Sequence, residues 1–184
     1  MKKFSNLLLI AFASLLLASC LDETQWEKYE EWRADQDEWL KTQLARTDAQ
    51  GDKYFETVSA SFDKNAVVYI HYHNDREATK NNLVPLYTSV VDVKYHGRLY
   101  NDVAFDSSYL STSPADSVLR FSQSGLITGW IIALQNMHVG DSVTVIIPWN
   151  VGYGESGYGS VILPYSHLVF DMKLHDIYKY EAKP

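Results

Sequence analysis

Four features of this 184-residue chain have residue types and spacing that could do chemistry. His71-Tyr72-His73 puts two imidazoles on one face of a strand, half of a divalent-metal site. Zinc takes three or four protein ligands, so the pair by itself reads as an exposed strand face. The run Gly152 to Gly159 is glycine-rich, but it lacks the Gly-Lys-Ser/Thr ending of a phosphate loop and the G-x-S-x-G spacing of a hydrolase elbow. Its glycines suit tight turns that present Tyr153 and Tyr158. Asp102 and Asp106 stand too close in sequence to be read as a glycosidase pair. Cys20 is the only thiol, so no intramolecular disulfide can form.

The elements that must position these residues are legible in composition and periodicity. Apolar residues make up 46% of the chain, enough for a packed core, and thirteen Tyr and five Trp add a heavy aromatic load. The formal charge of −7 is concentrated in residues 21–60, which hold eleven Asp/Glu against five Lys/Arg. No segment is basic enough to grip a phosphate backbone, which argues against nucleic-acid binding.

Residues 1–19 read as a secretory signal: Lys2 and Lys3 precede an apolar run from Leu7 to Leu17, too short for a membrane span of about 20 residues. Leu17-Ala18-Ser19-Cys20 resembles a bacterial lipobox, which implies lipid attachment at Cys20 and a membrane tether. The absence of Asp directly after Cys20 resembles outer-membrane sorting, and Leu21-Asp22-Glu23 resembles the surface-export signal of Bacteroidetes lipoproteins. Periplasmic and surface orientation both stay open.

Residues 20–60 carry the anchor, an acidic linker and an amphipathic helix expected from Glu23 to about Thr47. At 100° per residue, Trp26, Tyr29, Trp32, Trp39, Leu40 and Leu44 gather within an arc of about 140°. This stripe either packs on the chain's own domain or joins a second copy as a homodimer. Its acidic opposite face disfavours a membrane-surface role.

Residues 61–184 read as one strand-rich domain. Strands are expected at 67–73, 87–99, 118–121, 142–147 and 168–177, with one helical stretch from Trp130 to Met137. One short helix among several strands indicates an α+β fold: a twisted antiparallel sheet wrapping that helix, preceded by the N-terminal amphipathic helix.

Six motifs then stand in order. They are Val93-Lys94-Tyr95-His96-Gly97, Phe105-Asp106-Ser107-Ser108 (read as a turn), Ile127-Thr128-Gly129-Trp130, Ala133-Leu134 through Met137 to Gly140, Ile147-Pro148 with Gly152-Tyr153-Gly154, and Leu168 to Leu174. Together they resemble FKBP-type peptidyl-prolyl isomerases over roughly half the chain, from about 85 to 178.

That resemblance implies an aromatic pocket with Trp130 as its floor and Tyr95, Phe105 and Phe170 as walls. The Ile127 N–H and the Tyr153 hydroxyl would hold substrate carbonyls, and Asp106 would orient Tyr95. Leu119, Leu126, Tyr158 and Ile162 would complete substrate binding. Catalysis of this kind is non-covalent and needs neither cofactor nor metal; its substrates would be X-Pro segments of unfolded envelope or secreted proteins.

Three departures from the family pattern stand out. Leu119 occupies the place where an aromatic is often found, Tyr158 replaces a His or similar residue, and no Arg in Tyr109–Ser117 can pair with Asp106. They keep a rival expectation open: a chaperone-like module that binds Pro-containing segments with little turnover.

Overall fold

The computed structural model describes residues 24–112 and 116–180. The signal segment 1–19 and Cys20 lie outside the described residues. The chain divides into two units between Glu30 and Glu31.

In the first unit, α1 (Gln25–Lys28) opens on a capping box. The Glu27 N–H donates to Thr24 Oγ1 at 3.3 Å, and the Thr24 N–H donates to the Glu27 carboxylate at 2.8 Å. Helix α2 (Glu30–Leu44) follows. The single helix expected from 23 to 47 is interrupted at Tyr29, whose φ of −108° and ψ of 22° leave the helical region.

Part of the aromatic stripe is used within the second unit. Trp32 and Trp39 meet the ring of Tyr100 edge-on at 5.1 and 6.2 Å. The residue of α2 that is fully buried is Gln36, the polar residue in the middle of the aromatic stripe, four after Trp32 and three before Trp39. Its amide donates to the Trp32 and Tyr165 carbonyls, each at 3.1 Å, and accepts from the His167 N–H at 2.6 Å. Every polar atom of that side chain is paired, which removes the cost of burying it.

Seven antiparallel strands make one sheet: β1 (Glu56–Ser59), β2 (Val67–Tyr72), β3 (Val90–Leu99), β4 (Ala104–Ser107), β5 (Leu119–Ser122), β6 (Ser142–Ile147) and β7 (Leu168–Lys179). The order is β1-β2-β6-β7-β3-β4, and β5 also pairs with β3. β3 is the organising strand. One edge runs along β7, while the other pairs with β5 through Val90–Val93 and with β4 through His96–Arg98.

Its alternation dictates its facing: Val91, Val93, Tyr95 and Leu99 are buried in the core. Helices α3 (Ser108–Ser111) and α4 (Thr128–Leu134) complete the unit, with α4 packed against β2, β1 and β6. Gly129 lets α4 lie close, because a Cβ there would run into Ile147. Burial of Ile132, Leu134 and Met137 against Val68, Ile70 and Val145 forms the centre of the core. Each such side chain stabilises the fold by roughly 1.5–3 kcal/mol.

The elements differ from the sequence expectation in several places: β3 begins at Val90 rather than Tyr87, β2 ends at Tyr72 rather than His73, and β5 spans Leu119–Ser122 rather than 118–121. β1 pairs with β2 although 56–59 lies on the linker side of residue 60. Ala104–Ser107, expected as a turn, is a strand through its pairing with the far end of β3. α4 begins at Thr128 rather than Trp130 and ends at Leu134. Beyond Leu134 the chain tightens into i→i−3 bonds, Asn136 N–H to Ala133 O and Met137 N–H to Leu134 O, which keep Met137 on the buried side. β7 continues two residues past Ile177, to Lys179.

Candidate functional site

A cavity of about 460 Å³ opens between the core face of the sheet and α4. Its floor is the indole of Trp130, only 4% exposed. The rings of Tyr95, Phe170 and Phe121 stand edge-on to Trp130 at 5.0, 5.2 and 5.7 Å, the geometry that aromatic quadrupoles favour. Phe105 meets Phe170 at 5.5 Å. Those two rings reach each other across Gly97, where a Cβ would stand 2.7 Å from both. The glycine of the V-x-Y-x-G strand is thus required by close approach, not by an unusual φ.

The polar groups are few and oriented. The Tyr95 hydroxyl donates to Asp106 Oδ2 at 2.7 Å, and the Ser107 N–H donates to Oδ1 at 2.7 Å. The Tyr95 N–H donates to Ser108 Oγ at 2.9 Å, tying β3 to the start of α3. Burial first, then the hydrogen bond and charge of Asp106, push the Tyr95 phenol well above its ordinary value, so it remains a donor. Among the described residues Asp106 forms no ion pair; hydrogen bonds alone offset its charge.

Two donors line the cavity without using their protons. Ile127 precedes α4, and its N–H makes no hydrogen bond among the described residues. The Tyr153 hydroxyl is likewise unbonded there. Burial, followed by the neighbouring Tyr158 and Asp106, raises the Tyr153 phenol, which keeps its proton.

The glycine-rich loop serves that arrangement. Tyr158 stacks on Tyr153 at 4.8 Å and 18°. The Tyr158 and Ile162 backbones pair, N–H to O, at 2.7 and 3.2 Å. Gly157 sits at φ +65°, and a Cβ there would collide with the Ile162 carbonyl.

Tyr95, Phe105, Asp106, Leu126, Ile127, Trp130, Tyr153, Tyr158, Ile162 and Phe170, singled out from sequence, all line this cavity. Leu119 does not. It pairs with Val93 and packs half-buried on the core, while Phe121, two residues on, supplies the wall. The aromatic that seemed replaced at Leu119 is therefore present at Phe121. Period-2 alternation puts both residues on one face of β5, so pattern alone does not separate them. Gly125, Gly159, Ser160 and Val161 also line the cavity and were not singled out. Among the described residues no group of three or more His, Cys, Asp or Glu is arranged to hold a metal ion, and no helix is long and apolar enough to cross a membrane.

Comparison with known proteins identifies the family and the fold. The model of the family described as "FKBP-type peptidyl-prolyl cis-trans isomerase" matches residues 84–175. The FKBP-type 22 kDa peptidyl-prolyl cis-trans isomerase of Escherichia coli K12 is 42% identical over 94 residues, covering 51% of this chain and 44% of that protein. FkpA of E. coli K12, also an FKBP-type isomerase, is 37% identical over 103 residues, covering 54% and 36%. The chain therefore spans less than half the length of these curated relatives. The crystal structure of a peptidyl-prolyl cis-trans isomerase from Pseudomonas syringae pv. tomato superposes with a TM-score of 0.64 at 22% identity, over 82% of this chain and 96% of that one. That of FkpA from E. coli gives 0.62 at 24% identity, over 96% and 73%. At those identities the two structures establish the fold.

Proposed function

This chain belongs to the FKBP-type peptidyl-prolyl cis-trans isomerase family, and from that premise we propose that it catalyses rotation about X-Pro bonds in unfolded or partly folded proteins. The observation that carries the proposal is the aromatic cavity floored by Trp130, with two unused donors at Ile127 and Tyr153.

The chemistry asks for little more. The barrier of about 18–20 kcal/mol reflects amide resonance, and uncatalysed exchange takes tens to hundreds of seconds. An apolar cavity withdraws water from the amide, whose charge-separated resonance form water favours. Donors that bind the twisted amide better than the planar one lower the barrier further. The prolyl ring would lie on Trp130, the Ile127 N–H and Tyr153 hydroxyl would take carbonyl oxygens, and Asp106 would hold Tyr95 in the wall. No covalent bond forms, so neither a cofactor nor a metal takes part.

Exchange spectroscopy by NMR on an X-Pro peptide tests this. Substoichiometric protein should produce cis–trans exchange cross-peaks that the peptide alone does not show within a second of mixing. Their absence with folded protein would refute the activity.

A second reading has its own support. Leu110 on α3 is 82% exposed and Tyr158 at the cavity rim is 66% exposed, apolar surface suited to holding extended Pro-containing segments as a chaperone does. Suppression of client aggregation without acceleration of isomerisation would favour it.

The setting follows from sequence. Lipid attachment at Cys20 after removal of 1–19 would tether the protein to the outer membrane, where its clients would be envelope or secreted chains. Mass spectrometry of the membrane fraction should find an acylated N-terminal Cys20, and a soluble, unacylated chain would refute the anchor. The aromatic stripe of the N-terminal helix would supply a homodimer contact. Analytical ultracentrifugation of the mature chain should then give the mass of a dimer, and a monomer's mass would refute the contact.

A further inference from the structure

His71 and His73 project from the sheet face turned away from α4, because their neighbours Ile70 and Val68 face the core. Their hydrogen bonds determine which ring nitrogens carry protons. His71 Nδ1 lies 2.8 Å from the Tyr54 carbonyl, and a carbonyl only accepts. Nδ1 therefore carries a proton, and in the neutral ring the lone pair is the one on Nε2.

For His73 the chain of bonds is one step longer. The Thr144 hydroxyl donates to Asp171 Oδ1 at 2.6 Å, so it faces His73 Nε2, 2.8 Å away, as an acceptor. Nε2 donates, and the lone pair of His73 sits on Nδ1. Each imidazole, when neutral, is thus held in one tautomer by a carbonyl or a hydroxyl–carboxylate relay. This is the outer-layer pattern that orients metal-binding histidines.

The spacing fits as well. The ring centres lie 5.0 Å apart at 79°. With about 2.0–2.1 Å from metal to nitrogen and about 1.2 Å from nitrogen to ring centre, a shared cation stands about 3.2 Å from each centre. Centres at the observed separation then subtend about 100° at the cation, between octahedral and tetrahedral angles. The rings are also immobilised. Tyr54 stacks on His71 at 3.6 Å and 12°, and Arg98 holds the second oxygen of Asp171 at 2.8 Å.

We propose that His71 and His73 form a two-imidazole site for a borderline divalent cation such as Ni²⁺, Cu²⁺ or Zn²⁺, with water filling the remaining positions. No third acidic, Cys or His ligand joins the pair among the described residues, so the site exchanges its cation readily and leaves coordination positions open. It lies across the sheet from the isomerase cavity and does not depend on the isomerase reading.

Calorimetric titration of the untagged chain with Ni²⁺, in a Cys20→Ser background that removes the competing thiol, tests this. The expected result is one cation per chain, bound at least tenfold more weakly by His73→Gln and by His71→Gln. Thr144→Val, which takes away the hydroxyl orienting His73, should weaken binding by about 10-fold or more. His175→Gln, on β7, should leave it unchanged. Because His73 is exposed, His73→Gln retains the fold, and circular dichroism verifies this. Electron paramagnetic resonance with one equivalent of Cu²⁺ should show coupling to two imidazole nitrogens. Absence of saturable Ni²⁺ binding, or binding of unchanged strength in His73→Gln, would overturn the site.

Discussion

At the N-terminal end of α4, the Ile127 N–H faces the cavity unpaired, near the equally unpaired Tyr153 hydroxyl. At the C-terminal end the opposite holds. The Asn136 carbonyl accepts from the Tyr72 hydroxyl at 2.8 Å and from Arg76 at 3.2 Å, and the Asn136 amide donates to the Ile132 carbonyl at 2.7 Å. Just beyond, the fully buried Asp141 carboxylate accepts from Thr79 at 2.6 Å, the His138 N–H at 2.8 Å and Asn74 at 3.0 Å. Arg76 lies 4.0 Å over the Tyr72 ring, and burial above all pushes the Tyr72 phenol up to about 12.

One helix therefore separates two uses of polar groups. Where buried groups are matched, as all those named here are except Arg76 Nε, removing a partner strands a buried group and costs stability. Where donors face a cavity unmatched, they are available to a ligand, and removing one costs function.

The largest effect should come from the matched end. Asp141→Ala would strand Thr79, Asn74 and the His138 N–H, and urea unfolding should show a loss of roughly 3 kcal/mol or more. The turnover of the molecules still folded should be unaltered. A loss below about 1 kcal/mol would erase the contrast between the two ends.

On β5 the same division can be tested two residues apart. Phe121→Ala should lower kcat/KM by about 10-fold or more, because it opens the wall beside Trp130. Leu119→Ala should destabilise by roughly 2–3 kcal/mol and leave kcat/KM within about twofold. The reverse pattern would return the wall to Leu119.

Tyr153→Phe sharpens the comparison at a single atom. It should reduce kcat/KM by about 10-fold, equivalent to about 1.4 kcal/mol, with stability within about 0.5 kcal/mol of wild type. A drop in stability without a drop in rate would mean that the hydroxyl is structural.

The smallest effect is in acid. Burial opposes ionisation of Asp141, but its bonds from Thr79, the His138 N–H and Asn74 prevail and hold its carboxyl below the ordinary value of 3.8. Its contribution is thus present above that value and is lost as pH falls through the lower, folded one. Asp141→Asn should flatten the acid limb of the stability curve below about pH 4. Identical acid limbs in both proteins would rule out this source.

Much of this was legible in sequence where local pattern and tertiary role coincide. β2 and β6 are β-branched runs with one face in the core; the bounds of β6 follow from that, and β2 ends one residue short of the expected His73. Trp130 and its neighbours stand out because a motif surrounds them. β4 was obscure because Phe105-Asp106-Ser107 is too short to show a period and becomes a strand only by joining β3. Phe121 was missed in favour of Leu119 because alternation cannot distinguish residues two apart. Gln36 sits within the stripe's arc but was passed over as polar, since two of the partners that satisfy its buried amide lie about 130 residues away at Tyr165 and His167. The Asp141 hub was invisible for the same reason: Asn74 and Thr79 belong to a polar loop that nothing local ties to the turn after α4.

The most direct test of the cavity's role is a protease-coupled assay of X-Pro isomerisation, comparing wild type with Trp130→Ala at equal concentrations of folded protein. The account predicts that nanomolar to micromolar wild type (on the order of 10⁻⁸–10⁻⁶ M) accelerates exchange above the uncatalysed rate, which takes tens to hundreds of seconds. Trp130→Ala should lose at least about 30-fold of that acceleration, some 2 kcal/mol of transition-state binding. Folded wild type that leaves the uncatalysed rate unchanged, or a Trp130→Ala variant that accelerates it equally, would contradict the account.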